Sequence, residues 1–201
     1  ALASQGFWTW DTEEVSAMID WIKDYNRNVP GSRKVKFFGY DLQVLSEGEE
    51  AVIRYIEKVD PEFADKAKSL LEPLDGTRNV IIYSQVSDDK KAEIITGLQS
   101  LLGYLTFHRI PFIRNSSREE YELILQQARV LTQAFVAYSK PMMQAEDLSQ
   151  TGAALRDLYM AENIAAIMES EGPDVKIVVW AHNGHISNDA WGPGFPAMGS
   201  Y

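Results

Sequence analysis

The chain has 201 residues, 45% of them apolar and 24% charged, a balance that describes a globular chain rather than a disordered one. Its formal net charge of −10 argues against nucleic acid and against an anionic membrane surface as partners, because phosphate binding needs clustered Lys and Arg. It contains no cysteine, which removes disulfides, thiolate nucleophiles and sulfur-ligated metals, and no run approaches the ~20 apolar residues of a membrane span.

No signal peptide is visible, so a cytoplasmic location is the expectation. The chain opens on Ala1 rather than Met and stops at Gly199-Ser200-Tyr201, so we expect a piece of something longer. In chain order, Asp11 or Thr12 can cap a helix with Glu13 and Glu14 in its first turn and Val15, Met18, Ile19 and Ile22 at helical spacing. The pattern fades at Asn26-Arg27-Asn28, and Val35 to Phe38 then reads as a strand ending on Tyr40-Asp41-Leu42-Gln43. Helices follow from about Gly48 to Lys58 and on to Leu71, with Asp60-Pro61 between them.

The strongest helical pattern comes next. Ile94, Leu98, Leu101, Leu102 and Leu105 are answered by Tyr121, Ile124, Leu125, Ala128, Leu131, Phe135 and Tyr138, across a short link holding Pro111 and Asn115-Ser116-Ser117. Two such stripes predict an antiparallel helical hairpin over about 90–139. A last helix from about Ala153 to Glu169 ends at Gly172-Pro173. The β-branched run Val175 to Ala181 then reads as a strand covered on both faces, stopping on His182-Asn183-Gly184-His185.

These elements predict an α/β fold: parallel-type sheet strands covered by helices, with the helical hairpin as an insertion, in a helix-rich fragment of a larger domain. Residues 1–47 form the first αβ unit, 48–150 the helical insertion or cap, and 151–201 the second αβ unit with its histidine loop. A helix covering a sheet runs antiparallel to the strand that follows it. From Arg156 to Ser170 is ~21 Å of helix and from Val175 to His182 ~23 Å of strand, so Arg156 and His182 are expected at one edge. Trp8, Trp10 and Asp11 should lie near Tyr40 and Asp41 for the same reason. In open sheets ligands bind at the strands' carboxyl ends, so the four clusters are expected to line one cleft.

Within that cleft His182 and His185 are candidates for a general base and its partner, since imidazole titrates near neutral pH. The competing reading is a polar loop whose histidines cap backbone groups. His-x-x-His also permits a metal pair, though no third ligand lies nearby in sequence. Arg156, Met160, Asn163, Ile164 and Ile167 share one helix face, which puts an Arg and an Asn on an apolar stripe. A buried guanidinium needs a counterion, and Asp157 or Asp41 can supply it; the group then either holds the helix or faces an anionic or carbonyl oxygen. Tyr40, Asp41 and Gln43 end the first strand, where Asp41 either orients a histidine or makes an Asx turn. His108 reads as a helix-end histidine. There is no Gly-x-Ser-x-Gly elbow, no Gly-x-Gly-x-x-Gly and no phosphate loop, so neither a serine hydrolase nor a nucleotide cofactor has support, and no cofactor is expected.

Four segments in order carry a resemblance: Trp8-x-Trp10-Asp11-Thr12-x-Glu14-Val15, Phe38-Gly39-Tyr40-Asp41-x-Gln43, Arg156-Asp157-x-x-Met160-Ala161-x-Asn163 and Trp180-Ala181-His182-Asn183-x-His185. Together they resemble the erythromycin esterase family, which includes proteins labelled as succinoglycan biosynthesis proteins. The resemblance implies an α/β fold with a helical insertion, a deep cleft, and hydrolysis of an ester by activated water; in some members the ester is the lactone of a macrolide antibiotic. The His182 motif matches a histidine the family needs for activity. The family's Gly-Glu-x-x-His-Gly segment belongs upstream of Trp8 and is absent, so the chain is expected to be inactive on its own.

The expected function is therefore hydrolysis of a small-molecule ester or lactone. His182, His185 and Arg156 are the catalytic candidates; Trp10, Tyr40, Asp41, Gln43, Asp157, Asn163 and Asn183 are the substrate-binding candidates. Two alternatives stand beside it: a small-molecule or polysaccharide-related binding protein without chemistry, and a metal-dependent enzyme using His182 and His185.

Overall fold

The computed structural model describes residues 10–75, 80–143, 146–188 and 195–201. Eight α-helices occupy the described residues: α1 (Glu13–Arg27), α2 (Ser46–Val59), α3 (Pro61–Asp75), α4 (Asp88–Phe107), α5 (Arg109–Asn115), α6 (Arg118–Tyr138), α7 (Gly152–Glu171) and the single turn α8 (Asn183–Ile186). Short 3₁₀ turns fall at Gly31–Arg33, Val80–Gln85, Leu148–Gln150 and Met198–Ser200. By compactness the chain divides once, into 1–39 and 40–201.

In the 1–39 unit, Thr12 caps α1 by accepting the Val15 amide hydrogen, and Glu13 and Glu14 complement the positive end of the helix dipole. Past the helix, the Asn26 side-chain amide brackets Val35: its Oδ1 accepts from the Val35 N–H and its Nδ2 donates to the Val35 carbonyl, both at 2.8 Å. A side-chain amide thus satisfies the backbone groups that a neighbouring strand would have taken.

The 40–201 unit is a helical assembly with one core. Ile94, Leu98, Leu101 and Leu105 of α4 bury against Tyr121, Ile124, Leu125, Ala128, Leu131 and Phe135 of α6. The Tyr121 hydroxyl donates to the Leu105 carbonyl at one end of the pair, and Tyr83, just before α4, meets Phe135 at the other. The two helices therefore run antiparallel, with the short α5 between them. Ser87 and Ser117 cap α4 and α6 from their side chains. Helices α2 and α3 complete the core through Val52, Ile56, Ala67 and Leu71. On the other side of α6 lies α7, capped by Thr151 and ended by Gly172, whose φ of 101° belongs to the left-handed region that glycine adopts without strain.

The α/β expectation is overturned: among the described residues there is no strand and no sheet, so the architecture is all-helical. Neither Val35–Phe38 nor Val175–Ala181 is in a strand. The run read as buried on both faces is open, with Val178 90% exposed and Ile177 and Trp180 also exposed. The physical reason is that strand propensity is local while a strand exists only in a ladder, whose partner comes from elsewhere in the chain. A helix closes its hydrogen bonds within its own segment, so the helical predictions needed no such partner.

Candidate active site

Helix α7 carries the centre of the site. Its N-terminal turns place Arg156, half-buried, and Asp157, only 1% exposed, next to each other, and Asn163 lies buried two turns further on. Arg156 makes a forked pair with Asp41: Nε donates to Oδ1 at 2.8 Å and Nη2 to Oδ2 at 2.6 Å. The geometry is the bidentate one that only a guanidinium offers a carboxylate. Asp41 Oδ1 also accepts the Leu42 amide hydrogen at 2.7 Å, so the carboxylate is fixed from both sides. For the guanidinium, burial opposes its charge, but hydrogen bonding and Coulomb attraction from Asp41 outweigh it and hold Arg156 above its ordinary value.

Asp157 faces the other way. Its Oδ1 lies 2.7 Å from His185 Nδ1, and its Oδ2 accepts the Met198 amide hydrogen at 3.2 Å. On the far side of the ring, His185 Nε2 sits 3.4 Å from Arg156 Nη1. A guanidinium can only donate, so Nε2 presents its lone pair and the proton is assigned to Nδ1, which donates to Asp157. The result is one connected line: Asp157, His185, Arg156, Asp41. His182 begins the α8 turn, and its Nδ1 accepts the Gly184 amide hydrogen at 3.1 Å, which places the proton of its neutral form on Nε2. The two histidines thus have opposite tautomers, three residues apart.

Around this line the sequence-predicted residues fall as follows. Tyr40 donates its hydroxyl to the Trp180 carbonyl at 2.8 Å, and its own carbonyl accepts from Asn163 Nδ2 at 3.0 Å. Gln126 on α6 donates to Asn163 Oδ1 at 2.8 Å, so both ends of the Asn163 amide are engaged. Burial, with Asp41 nearby, raises the Tyr40 phenol. Gln43 and Asn183 are exposed. Trp10 belongs to the 1–39 unit and Trp8 lies outside the described residues. His108 joins α4 to α5, its ring near Tyr104 and Phe112 and its Nδ1 3.0 Å from the Tyr104 carbonyl.

Two participants escaped the sequence reading: the Met198 amide that holds Asp157, and Gln126 behind Asn163, act from positions with no motif. As for metals, among the described residues no three His, Asp or Glu side chains converge on a common point. A guanidinium beside His185 Nε2 also opposes a second cation there.

The site therefore holds a buried aspartate against a histidine, beside a guanidinium fixed by a second carboxylate. The family model described as Erythromycin esterase matches residues 1–200, and the chain belongs to that family. It is 23% identical over 189 residues to the Bacillus subtilis (strain 168) protein described as "Putative hydrolase YbfO", covering 88% of this chain and 41% of that one. Among solved structures it resembles a Bacillus cereus protein (TM-score 0.78, 23% identity, 94% of this chain and 45% of that chain). A succinoglycan biosynthesis protein gives a TM-score of 0.77 at 22% identity, over 95% of this chain and 45% of that chain. A point mutant of the erythromycin esterase EreC in its open conformation gives 0.65 at 19%, over 92% and 48%. The fold is therefore shared with these three solved structures, and the chain spans somewhat less than half the length of each protein it matches here.

Proposed function

We propose that the full-length protein carrying this chain is a hydrolase that cleaves a carboxylic ester or lactone with water, using His185 as the base. The supporting observation is the Asp157–His185–Arg156 line. Asp157 holds the imidazole in the tautomer whose Nε2 lone pair can take a proton from water, as the aspartate of a hydrolase triad does. The hydroxide equivalent then adds to the ester carbonyl, and Arg156 stabilises the charge on its oxygen. Collapse expels the alcohol, which takes its proton back from His185 Nε2. His182, with its proton on Nε2, serves as a donor to the same oxygen rather than as a second base. Asn163 and Tyr40 hold the backbone on either side, and Asp41 sets the guanidinium. The family name suggests the lactone of a macrolide as one substrate to include.

The test is turnover of a panel of p-nitrophenyl esters and of erythromycin by the full-length protein and its His185→Ala variant. We expect ester cleavage that falls by about 10²–10⁴-fold in the variant, the usual contribution of a positioned acid–base group. Full activity in His185→Ala would remove the role assigned to it. Binding without turnover by the wild type would favour the binding-protein alternative.

A further inference from the structure

The turn that carries both histidines is held differently at its two ends. At its exit Gly199 lies directly against the backbone that leaves α8: a Cβ added there would meet the Ile186 carbonyl oxygen at 2.6 Å and that of Ser187 at 2.7 Å. The segment carrying Gly199 is seated by the buried Ala197 and Met198, and its Met198 amide holds the same Asp157 that holds His185. His185 is therefore braced by α7 and by this backing. His182 stands exposed at the other end, and among the described residues the run leading into it is in no strand, so no ladder fixes its backbone there.

Tyr40 reaches that entry. Its hydroxyl donates to the Trp180 carbonyl at 2.8 Å, two residues before His182. Burial raises the phenol above its ordinary value, so it carries this proton at neutral pH. Tyr40 is itself fixed: Asn163 donates to its carbonyl at 3.0 Å, Gln126 of α6 holds Asn163, and the next residue, Asp41, is forked by Arg156. A line of hydrogen bonds thus runs from α6 and α7 through Tyr40 to the backbone that enters the histidine turn. We propose that Tyr40 is a positioning residue for His182: its hydroxyl sets the entry of the turn, and through it the place of the His182 ring, while Asp157 sets His185 independently. This rests on the reading that His182 donates to the substrate oxygen. It also takes Tyr40 out of direct substrate binding, because its hydroxyl proton goes to the Trp180 carbonyl rather than to a ligand.

Tyr40→Phe tests this in the full-length protein, since it keeps the ring and its packing and removes only the hydroxyl. The first readout needs no turnover: imidazole 1H–15N correlations of protein labelled with 15N-histidine, assigned by their loss in His182→Ala and His185→Ala. Tyr40→Phe should move the His182 signals and leave those of His185 in place. Unmoved His182 signals overturn the proposal, and so does equal movement of both rings, which would report a general loosening of the turn. The second readout is kinetic, with p-nitrophenyl acetate as probe. Tyr40→Phe should lower kcat by about tenfold with KM little changed, and the loss should vanish in a His182→Ala background, because the hydroxyl acts through that ring. The same loss in both backgrounds, or an unchanged kcat in an active wild type, overturns it. A raised KM with kcat intact also overturns it and returns Tyr40 to substrate binding. Absence of ester turnover by the wild type counts against the hydrolase reading alone, because the histidine signals decide the positioning by themselves.

Discussion

Asp157 commits both carboxylate oxygens to the fold, one to His185 Nδ1 and one to the Met198 amide. A group so placed cannot itself be the base; its effect is to choose the histidine tautomer. Asp157→Asn is an informative change because Asn can keep the Met198 contact while presenting an N–H to the ring. His185 then places its proton on Nε2, the wrong nitrogen for accepting one from water. In the full-length protein we expect kcat to fall by about 10²–10⁴-fold with KM close to the wild-type value, measured on any ester the wild type turns over. A large rise in KM with kcat intact would instead place Asp157 in substrate binding. At the same scale, the sequence named Arg156, Asp157, Asp41, His182 and His185, because polar side chains on an apolar helix face or just after an apolar run are legible locally. It left open whether Asp157 or Asp41 pairs with Arg156. Adjacent residues on a helix point about 100° apart, so Asp157 is turned toward His185 and the distant Asp41 takes the guanidinium.

At the scale of elements, the helices were legible because each closes its own hydrogen bonds and shows its buried face in the periodicity. The α4 and α6 stripes reappear almost residue for residue in the core. What the pattern did not show is how near two helices approach. At Gly97 of α4 an added Cβ would meet the Leu70 carbonyl of α3 at 2.5 Å, whereas at Gly103 on the same helix it would meet nothing within 4 Å. The same substitution should therefore have opposite signs at the two positions. Gly97→Ala forces α3 from α4, a repacking cost of about 1–3 kcal/mol that outweighs the gain in helix propensity. Gly103→Ala should stabilise by about 0.5–1 kcal/mol from propensity alone. Urea unfolding of the pair measures both; equal effects would mean that the α3–α4 contact is looser than described.

The whole molecule adds a dependence on alkaline pH. Tyr104 donates its hydroxyl to Asp60 Oδ2 at 2.5 Å, and both it and Tyr138 are pushed up to about 12, chiefly by burial. In the unfolded chain these phenols ionise near 10. Below pH 10 both states hold the proton and stability does not depend on it. Between pH 10 and 12 the unfolded chain releases protons that the folded one retains, so the unfolded state is favoured as pH rises. Thermal melts should show Tm falling through that window, and Tyr104→Phe and Tyr138→Phe should each flatten the fall. A Tm as steep in the double variant as in the wild type would assign the alkaline transition to other groups.

By itself, the sequence determined where the long helices of the 40–201 unit lie, which residues enter its core, and which short list of polar groups stands as candidates. Each of those follows from a pattern within one turn or one segment. Tertiary structure alone decided that Val175–Ala181 lies outside any strand, that Arg156 reaches 115 positions back to Asp41, and that the Tyr138 hydroxyl is buried with no partner among the described residues. Strand pairing, ion pairing and the burial of a lone donor each depend on a partner from another part of the chain, and no local pattern records which partner that is.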